Sequence, residues 1–351
     1  GTIGTGAGVL GGLLFMLWMY GLNRKMIMKQ VARDYHQEED SYGEIFKTIL
    51  LVVTPFILST GIYHVNNFLD KTIYQKLMMT VMDLKESIVA TDLSAIAKGT
   101  KISNIPIALA SAMATALIPG ISSDFVKGDR KGVRKKVAKS VKVTMLVSIP
   151  AAVGIGVLAR PIMQVIFNQP ESLEISSSLL TVTSVSIIFY GLSTLTQAVL
   201  QSIGKMITPI VHAAVALAIH AALMAAMLLY LDKEYRMYYY VIATVLYSVI
   251  VSILNGHSLR KYLKYKQEKD KTFLRPVFAS AIMGAAAYGV YHGIYYLVPV
   301  NLVALAVAVI VAVLVYFVLI IMLRAVTQEE LKSMPKGHLL IKMGRKMRLL
   351  R

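Results

Sequence analysis

The chain has 351 residues, of which 56% are hydrophobic and only 16% charged, and its mean hydropathy is +0.62. Soluble domains are typically about 45–50% apolar and about 25% charged, so this composition excludes a set of ordinary water-soluble domains. The net charge of +18 comes from basic residues in short blocks between apolar runs. That arrangement suits an anionic membrane surface and argues against nucleic acid as a partner.

A bilayer core of about 30 Å requires roughly 20 apolar residues in a helix. Nine stretches have that character, and the sequence therefore predicts an all-α, polytopic transmembrane helix bundle. The nine predicted spans are residues 2–22, 46–69, 102–122, 142–159, 178–201, 208–231, 237–256, 276–298 and 301–323.

The basic residues between these spans predict the orientation of the chain. If the segment after the first span is cytoplasmic, most of the 37 Lys and Arg residues fall on the cytoplasmic side, as the positive-inside rule requires. The C-terminus is then cytoplasmic and Gly1 external. A chain that begins outside, without a signal peptide or Met, is expected to be part of a longer protein whose earlier spans precede it.

The longest external connection is residues 70–101. Its apolar residues recur at helical spacing, with Lys76, Asp83 and Lys85 between them. This pattern indicates an amphipathic helix, either lying along the outer surface over a cavity or packing on neighbouring spans.

No enzymatic motif is present, and the sequence offers no catalytic residue, metal site or cofactor site: the chain has no cysteine, no H-E-x-x-H, no P-loop and no G-x-S-x-G. Lys47, Asp70 and Lys205 stand at the ends of predicted spans, where they can reach the interface. His212 and His220 lie near one face of a span, which favours buried, hydrogen-bonded packing over a proton-linked role, and His64 is interpreted in the same way.

Two groups of polar residues lie within spans and need partners there. Asn66, Asn67 and Asp70 occupy the outer third of the second span, and Gln197 and Gln201 belong to the fifth. Either they bond to other helices or they line a hydrophilic cavity for a polar head group. Both interpretations stay open, and the five residues are candidate substrate-binding positions.

Prolines interrupt several spans, where each removes a backbone donor and tends to kink a helix. Kinked helices with small residues are common in proteins that rock between two openings. The predicted hinge or kink positions are Pro55, Pro106, Pro119, Pro150 and Pro209.

Three blocks closely resemble consecutive stretches of the polysaccharide-biosynthesis flippases: "NIPIALASAMATALIPGIS" (104–122), "SIPAAVGIGVLARPIMQVIF" (148–167) and "YGLSTLTQAVLQSIGKMITP" (190–209). These flippases belong to the multidrug/oligosaccharidyl-lipid/polysaccharide (MOP) exporter superfamily. The resemblance is strongest to the branch of Gram-positive lipid II flippases and stage V sporulation protein B relatives.

The resemblance implies a fold of fourteen helices in two six-helix lobes with an appended pair, and the nine spans would be helices 6–14. The expected domains are the last helix of the N-terminal lobe with a linker, the C-terminal lobe with its external segment, a linker with the appended helices, and a basic tail. Their expected bounds are 1–43, 44–258 with 70–101, 259–323 and 324–351.

The resemblance also implies that a lipid-linked anionic glycan, such as a peptidoglycan precursor, is flipped from the inner to the outer leaflet of a bacterial plasma membrane by alternating access. The expected partners are that substrate, membrane lipids and the N-terminal lobe of the same protein. Lys98 and Lys101, just before the third span, are the basic candidates for its head group.

Two alternatives stay open. A multidrug exporter would need acidic residues deep in the spans, and none is predicted there. A membrane polysaccharide polymerase would need clustered polar residues in external loops, and these are sparse outside 70–101.

Overall fold

The structure is a computed structural model that describes residues 2–32 and 41–326. Within these ranges it leaves out the side chains of residues 2–5, 52–53, 55–64 and 67. Most of the predicted basic tail, 324–351, therefore lies outside the described residues, and the side chains of Pro55, His64 and Asn67 are not described.

The described ranges contain ten α-helices and no strand, which confirms the all-α class. The helices are α1 (Thr2–Val31), α2 (Tyr42–Lys76), α3 (Glu86–Val126), α4 (Arg130–Val157), α5 (Ala159–Phe167), α6 (Pro170–Ser202), α7 (Ile207–Tyr230), α8 (Arg236–Leu263), α9 (Arg275–Leu297) and α10 (Asn301–Met322). Two π-helical segments, Leu77–Val81 and Asp270–Leu274, follow α2 and precede α9, and a 3-10 turn, Lys233–Tyr235, precedes α8.

Eight helices of the described part are long and apolar enough to cross a membrane. They match eight of the nine predicted spans. The ninth, 46–69, lies within the helical backbone of α2, where most side chains fall outside the described set. All ten helices except α5 are long enough for a bilayer crossing at 1.5 Å per residue.

The chain divides into two compact units, one ending at Thr54 and the other beginning at Pro55. The larger unit is organised around α6, which packs against α3, α4, α5 and α8. Leu179, Leu180, Ile187, Leu195 and Leu200 of α6 are fully buried. This explains why α6 is apolar on several faces: it is surrounded by protein.

The last two helices, α9 and α10, pack against each other and against α4. Pro150 in α4 has no N–H, so the carbonyl of Leu146, four residues earlier, loses its helical partner. The hydroxyl of Tyr316 on α10 donates to that carbonyl at 2.9 Å in a buried contact. A proline in one helix thus creates the acceptor that fixes another helix against it.

The structure corrects the interpretation of 70–101 as one surface helix. The segment contains the end of α2, a π-helical turn, a short connection at 82–85 and the start of α3. Tyr74 and Met78 are completely buried in a core cluster with α7 and α8. The apolar periodicity arises because these residues pack on neighbouring helices, which is the second of the two alternatives.

The five predicted kink prolines differ in position. Pro106 and Pro119 lie inside α3 and Pro150 lies inside α4. Pro209 is the third residue of α7, where a backbone donor has no helical partner in any case. Pro55 lies outside the residues whose side chains are described.

Candidate substrate site

A groove of about 790 Å³ opens between the first turns of α3 and the start of α6. The connection between α5 and α6 shapes its wall. Asn168 ends α5 in the left-handed conformation, at φ 44°, and Pro170 starts α6. The groove is lined by Ala90, Thr91, Ser94, Lys98, Asn168, Gln169, Pro170, Glu171 and Ser172. By the predicted orientation, this is the outer end of the bundle.

Lys98 is the cation at the base of this groove, and its residue is only 8% exposed. Its ammonium donates to the side-chain oxygen of Gln169 and, at 2.7 Å, to the hydroxyl of Ser172. The ammonium also lies 5.9 Å from the centroid of the Phe167 ring. Among the described residues, no carboxylate lies within ion-pair distance of Lys98, so its neighbours solvate the charge without neutralising it.

Lys101, one turn further along α3, is exposed and does not line this groove. Glu171 does line it, so the groove carries one acidic as well as one basic side chain. The carboxylate of Glu171 disfavours an anionic group in its own part of the groove.

Asp70 and Asn66 of α2 are brought together, but inside the bundle. Both are buried, and the Asn66 amide donates to Asp70 at 3.4 Å. The second carboxylate oxygen of Asp70 lies 2.5 Å from Nε2 of His220 on α7. The sequence indicated that Asp70 is an interfacial residue at the end of a span. The structure instead buries Asp70 among the helices. Helix-to-helix bonding, rather than a cavity, is what the structure shows for these two residues.

Gln197 and Gln201 lie near the other end of α6. From Ser172 to Gln197 the helix rises by about 38 Å, at 1.5 Å per residue. Gln201 is buried, and its amide nitrogen has no hydrogen-bond partner among the described residues. The structure therefore does not bring these glutamines to the groove that contains Lys98.

His212 and His220 are both hydrogen-bonded, as the favoured interpretation predicted. His212 lies 2.8 Å from the side-chain oxygen of Asn255 and 3.3 Å from the hydroxyl of Ser258, both on α8. His220 is completely buried, and its Nδ1 lies 2.7 Å from the backbone oxygen of Ala243 on α8. These contacts attach α7 to α8 at two levels of the bundle.

One ion pair, formed by a buried aspartate and a partly buried arginine, was not predicted from the sequence. Arg236 at the start of α8 donates two hydrogen bonds to Asp92 of α3, at 2.6 and 3.1 Å, and the Tyr74 hydroxyl donates to the same carboxylate at 2.8 Å. A signal was available: both charged residues fall in connections that the basic-residue count assigns to the outer side. Opposite charges on one side of a membrane are candidates for pairing.

A second groove, of about 480 Å³, lies between α5, the start of α6 and α9. It includes Arg160, whose side chain is 67% exposed and 3.7 Å from Glu174. Tyr288, Tyr291, His292 and Tyr295 of α9 form its aromatic wall. Aromatic side chains of this kind are enriched at membrane interfaces. No group of three or more His, Asp or Glu side chains suited to a metal occurs in the described residues.

A sequence model of the lipid II flippase MurJ family matches residues 2–308. This chain belongs to the MurJ family. It is 27% identical over 287 residues to the lipid II flippase MurJ of Bacillus subtilis (strain 168), in an alignment that covers 80% of this chain and 51% of that protein. The chain therefore spans about half the length of this curated MurJ.

Solved structures show the same fold. A lipid II flippase MurJ in an inward closed conformation aligns with a TM-score of 0.58 at 18% identity, covering 81% of this chain and 56% of that chain. An outward-facing multidrug resistance transporter of the MATE family, in the MOP superfamily, aligns with a TM-score of 0.51 at 12% identity. The alignment covers 85% of this chain and 69% of that chain. The lipid II flippase family predicted from the three sequence blocks is confirmed by the family match, and the protein is a multi-pass membrane protein of the MurJ family.

Proposed function

We propose that this chain forms the C-terminal part of a transporter that flips a lipid-linked anionic glycan, of the lipid II type, from the inner to the outer leaflet by alternating access. Its role is in cell-wall or polysaccharide biosynthesis in a bacterial plasma membrane. The observation that carries the proposal is the family match across 2–308, which includes α3 to α9 in full and the start of α10.

The protein is proposed to be a transporter and not an enzyme, with membrane lipids and the lipid-linked substrate as its partners. The rest of the transporter supplies the N-terminal lobe. Alternating access needs two lobes that move against each other around a site. Lys98 and Lys101 are proposed to meet the anionic head group near the outer interface, since Lys98 is a buried cation without a carboxylate partner among the described residues.

A drug exporter of the same superfamily is the second candidate. One observation favours it: Asp70 is buried among the helices, where the sequence analysis expected no acidic residue. The likeness to the MATE transporter concerns the fold alone.

Complementation tests the proposal. We expect the protein, expressed with its N-terminal lobe in a bacterium depleted of its own lipid II flippase, to restore growth and to reduce the precursor accumulated on the inner leaflet. Residues 1–351 alone, purified into liposomes, are expected to flip no labelled precursor, because alternating access needs two lobes and this chain matches about half of the curated MurJ. Failure to restore growth at normal expression, together with increased drug resistance, would support the exporter instead.

A further inference from the structure

The contact between Asp70 and His220 needs a proton. Nδ1 of His220 lies 2.7 Å from the backbone oxygen of Ala243, and Nε2 lies 2.5 Å from Oδ1 of Asp70. A carbonyl oxygen only accepts, so Nδ1 must carry a hydrogen and donate it. One further proton must then lie between Nε2 and the carboxylate, on one atom or the other.

Without that proton, the contact is repulsive. A neutral imidazole with its hydrogen on Nδ1 would present the Nε2 lone pair to an ionised carboxylate at 2.5 Å. The site would also hold a net negative charge with both residues at most 1% exposed. An uncompensated charge in such a site is strongly unfavourable. The amide of Asn66, at 3.4 Å from Oδ2 of Asp70, offers only a long hydrogen bond in compensation.

We propose that Asp70 and His220 form a proton-binding site within the membrane domain, and that the bound proton fastens α2 to α7 and α8. The site joins three helices: Asp70 belongs to α2, His220 to α7 and Ala243 to α8. With the proton, the pair is neutral overall and every polar contact has a donor. Loss of the proton removes the bond between α2 and α7.

The other titratable groups around the site do not duplicate this behaviour. Tyr247 contacts the His220 ring edge-on at 5.8 Å, and Tyr240 of α8 packs edge-on against Tyr74 of α2. Tyrosines titrate near pH 10, above the range in which a histidine and a carboxylate exchange a proton. The adjoining Asp92–Arg236 pair keeps its charges, because arginine stays protonated at every accessible pH.

The proposal does not depend on the transported substrate, and its test is structural. Hydrogen–deuterium exchange of the purified protein in lipid nanodiscs, corrected for the intrinsic effect of pH, is measured for peptides covering 66–82 between pH 6 and pH 9. We expect protection of these peptides to fall by at least about tenfold as the pH rises, while α10 peptides change little.

Two substitutions remove the need for the proton while keeping a bond. In Asp70→Asn, the amide can donate to Nε2 of a neutral His220. In His220→Gln, the amide donates to Asp70 at any pH. Either variant is expected to show pH-independent protection of 66–82, so the test stands if one of them fails to fold.

Asp92→Asn is the matched control, because it alters a buried ion pair of the same region whose cation does not titrate. It is expected to keep the pH dependence of the unmodified protein. The proposal is wrong if protection in the unmodified protein does not change with pH. It is also wrong if a folded Asp70→Asn or His220→Gln variant keeps that change, or if Asp92→Asn abolishes it.

Discussion

Some side chains in this protein donate hydrogen bonds to backbone carbonyls that lack a partner within their own helix. The hydroxyl of Tyr316 is one example, because it supplies the donor that Pro150 cannot give to Leu146. Both atoms are buried, so a partner from water is not within reach. Contacts of this kind explain how α10 attaches to α4 even though its side chains are almost entirely apolar.

Replacing Tyr316 by Phe tests this contact. The carbonyl of Leu146 would be left buried without a hydrogen-bond partner, which costs about 1–3 kcal/mol. We expect the thermal unfolding midpoint in detergent to fall measurably. Tyr288→Phe is the control, since Tyr288 is 54% exposed on α9, and it should leave the midpoint unchanged. Equal effects of the two substitutions would contradict the role given to Tyr316.

Lys98 and Lys101 are the residue-scale test of the substrate site. We expect Lys98→Gln combined with Lys101→Gln to impair complementation of a flippase-depleted strain, because the head group would lose two cations. Lys85→Gln, at an exposed lysine just before α3, is the matched control. Protein levels in the membrane must be equal in all strains. Normal growth of the double variant would show that neither lysine contributes to binding the head group.

At the scale of helices, the close approach of α9 to α4 depends on a small residue on the face of α9 that contacts α4. A Cβ at Gly284 of α9 would lie 2.8 Å from Cγ1 of Val153 and 3.3 Å from Cγ2 of Val157, both on α4. Valine side chains are stiff and cannot move aside easily. A Cβ at Gly289 of the same helix would meet nothing within 4 Å. Only one of the two glycines therefore sets the distance between α9 and α4.

Substituting leucine at each position separates these roles. Gly284→Leu should overpack the contact between α9 and α4 and destabilise the protein by about 1–3 kcal/mol. Gly289→Leu adds an apolar side chain to an exposed face and should be neutral or slightly stabilising, because glycine is a poor helix former. Thermal unfolding of both variants in the same detergent measures the difference. A stable Gly284→Leu protein would show that α9 does not pack on α4 as described.

The helices themselves were predictable from the sequence, but their pairings were not. Hydropathy located the spans because lipid forces the backbone of each crossing to bond within its own helix. It underestimated α3, which is 41 residues long, because Lys98, Lys101 and Asp92 interrupt the apolar pattern near its outer end. Lys101 is exposed, whereas Lys98 bonds to Gln169 and Ser172 and Asp92 bonds to Arg236, so the two buried charges have partners. Partners distant in sequence cannot be found from a local pattern.

The candidate site was only partly predictable from the sequence, for the same reason. The sequence identified Lys98 as a cation near a span, but not Gln169 and Ser172, which hold it more than 70 residues away in the chain. It grouped Asp70 with a possible head-group cavity, whereas His220, 150 residues further on, draws that carboxylate into the bundle. A polar residue within a span indicates that it has a hydrogen-bond partner, but only the packing of the helices shows which residue that partner is.

At the scale of the whole molecule, the order of the helices determines which connections share an end of the bundle but not which end is external. Successive long helices are joined by short connections, so the two ends of the bundle alternate along the chain. On this assignment the Lys98 groove and the 3-10 turn at Lys233–Tyr235 are external, while the connection between α8 and α9 is cytoplasmic. The sidedness itself is a prediction from charge.

These 351 residues contain no cysteine, so single thiols can test this sidedness directly once any cysteine of the N-terminal lobe has been replaced by serine. Lys233→Cys and Lys266→Cys place single thiols at exposed positions on opposite ends of the bundle. In intact cells producing the protein with its N-terminal lobe, a membrane-impermeant maleimide should label the thiol at 233 at once. It should label the thiol at 266 only after the membrane is permeabilised. The reverse pattern would place the C-terminus outside and turn the Lys98 groove toward the cytoplasm. The head group would then meet Lys98 on entering from the inner leaflet rather than on leaving, so the labelling result fixes which step of transport the groove can serve.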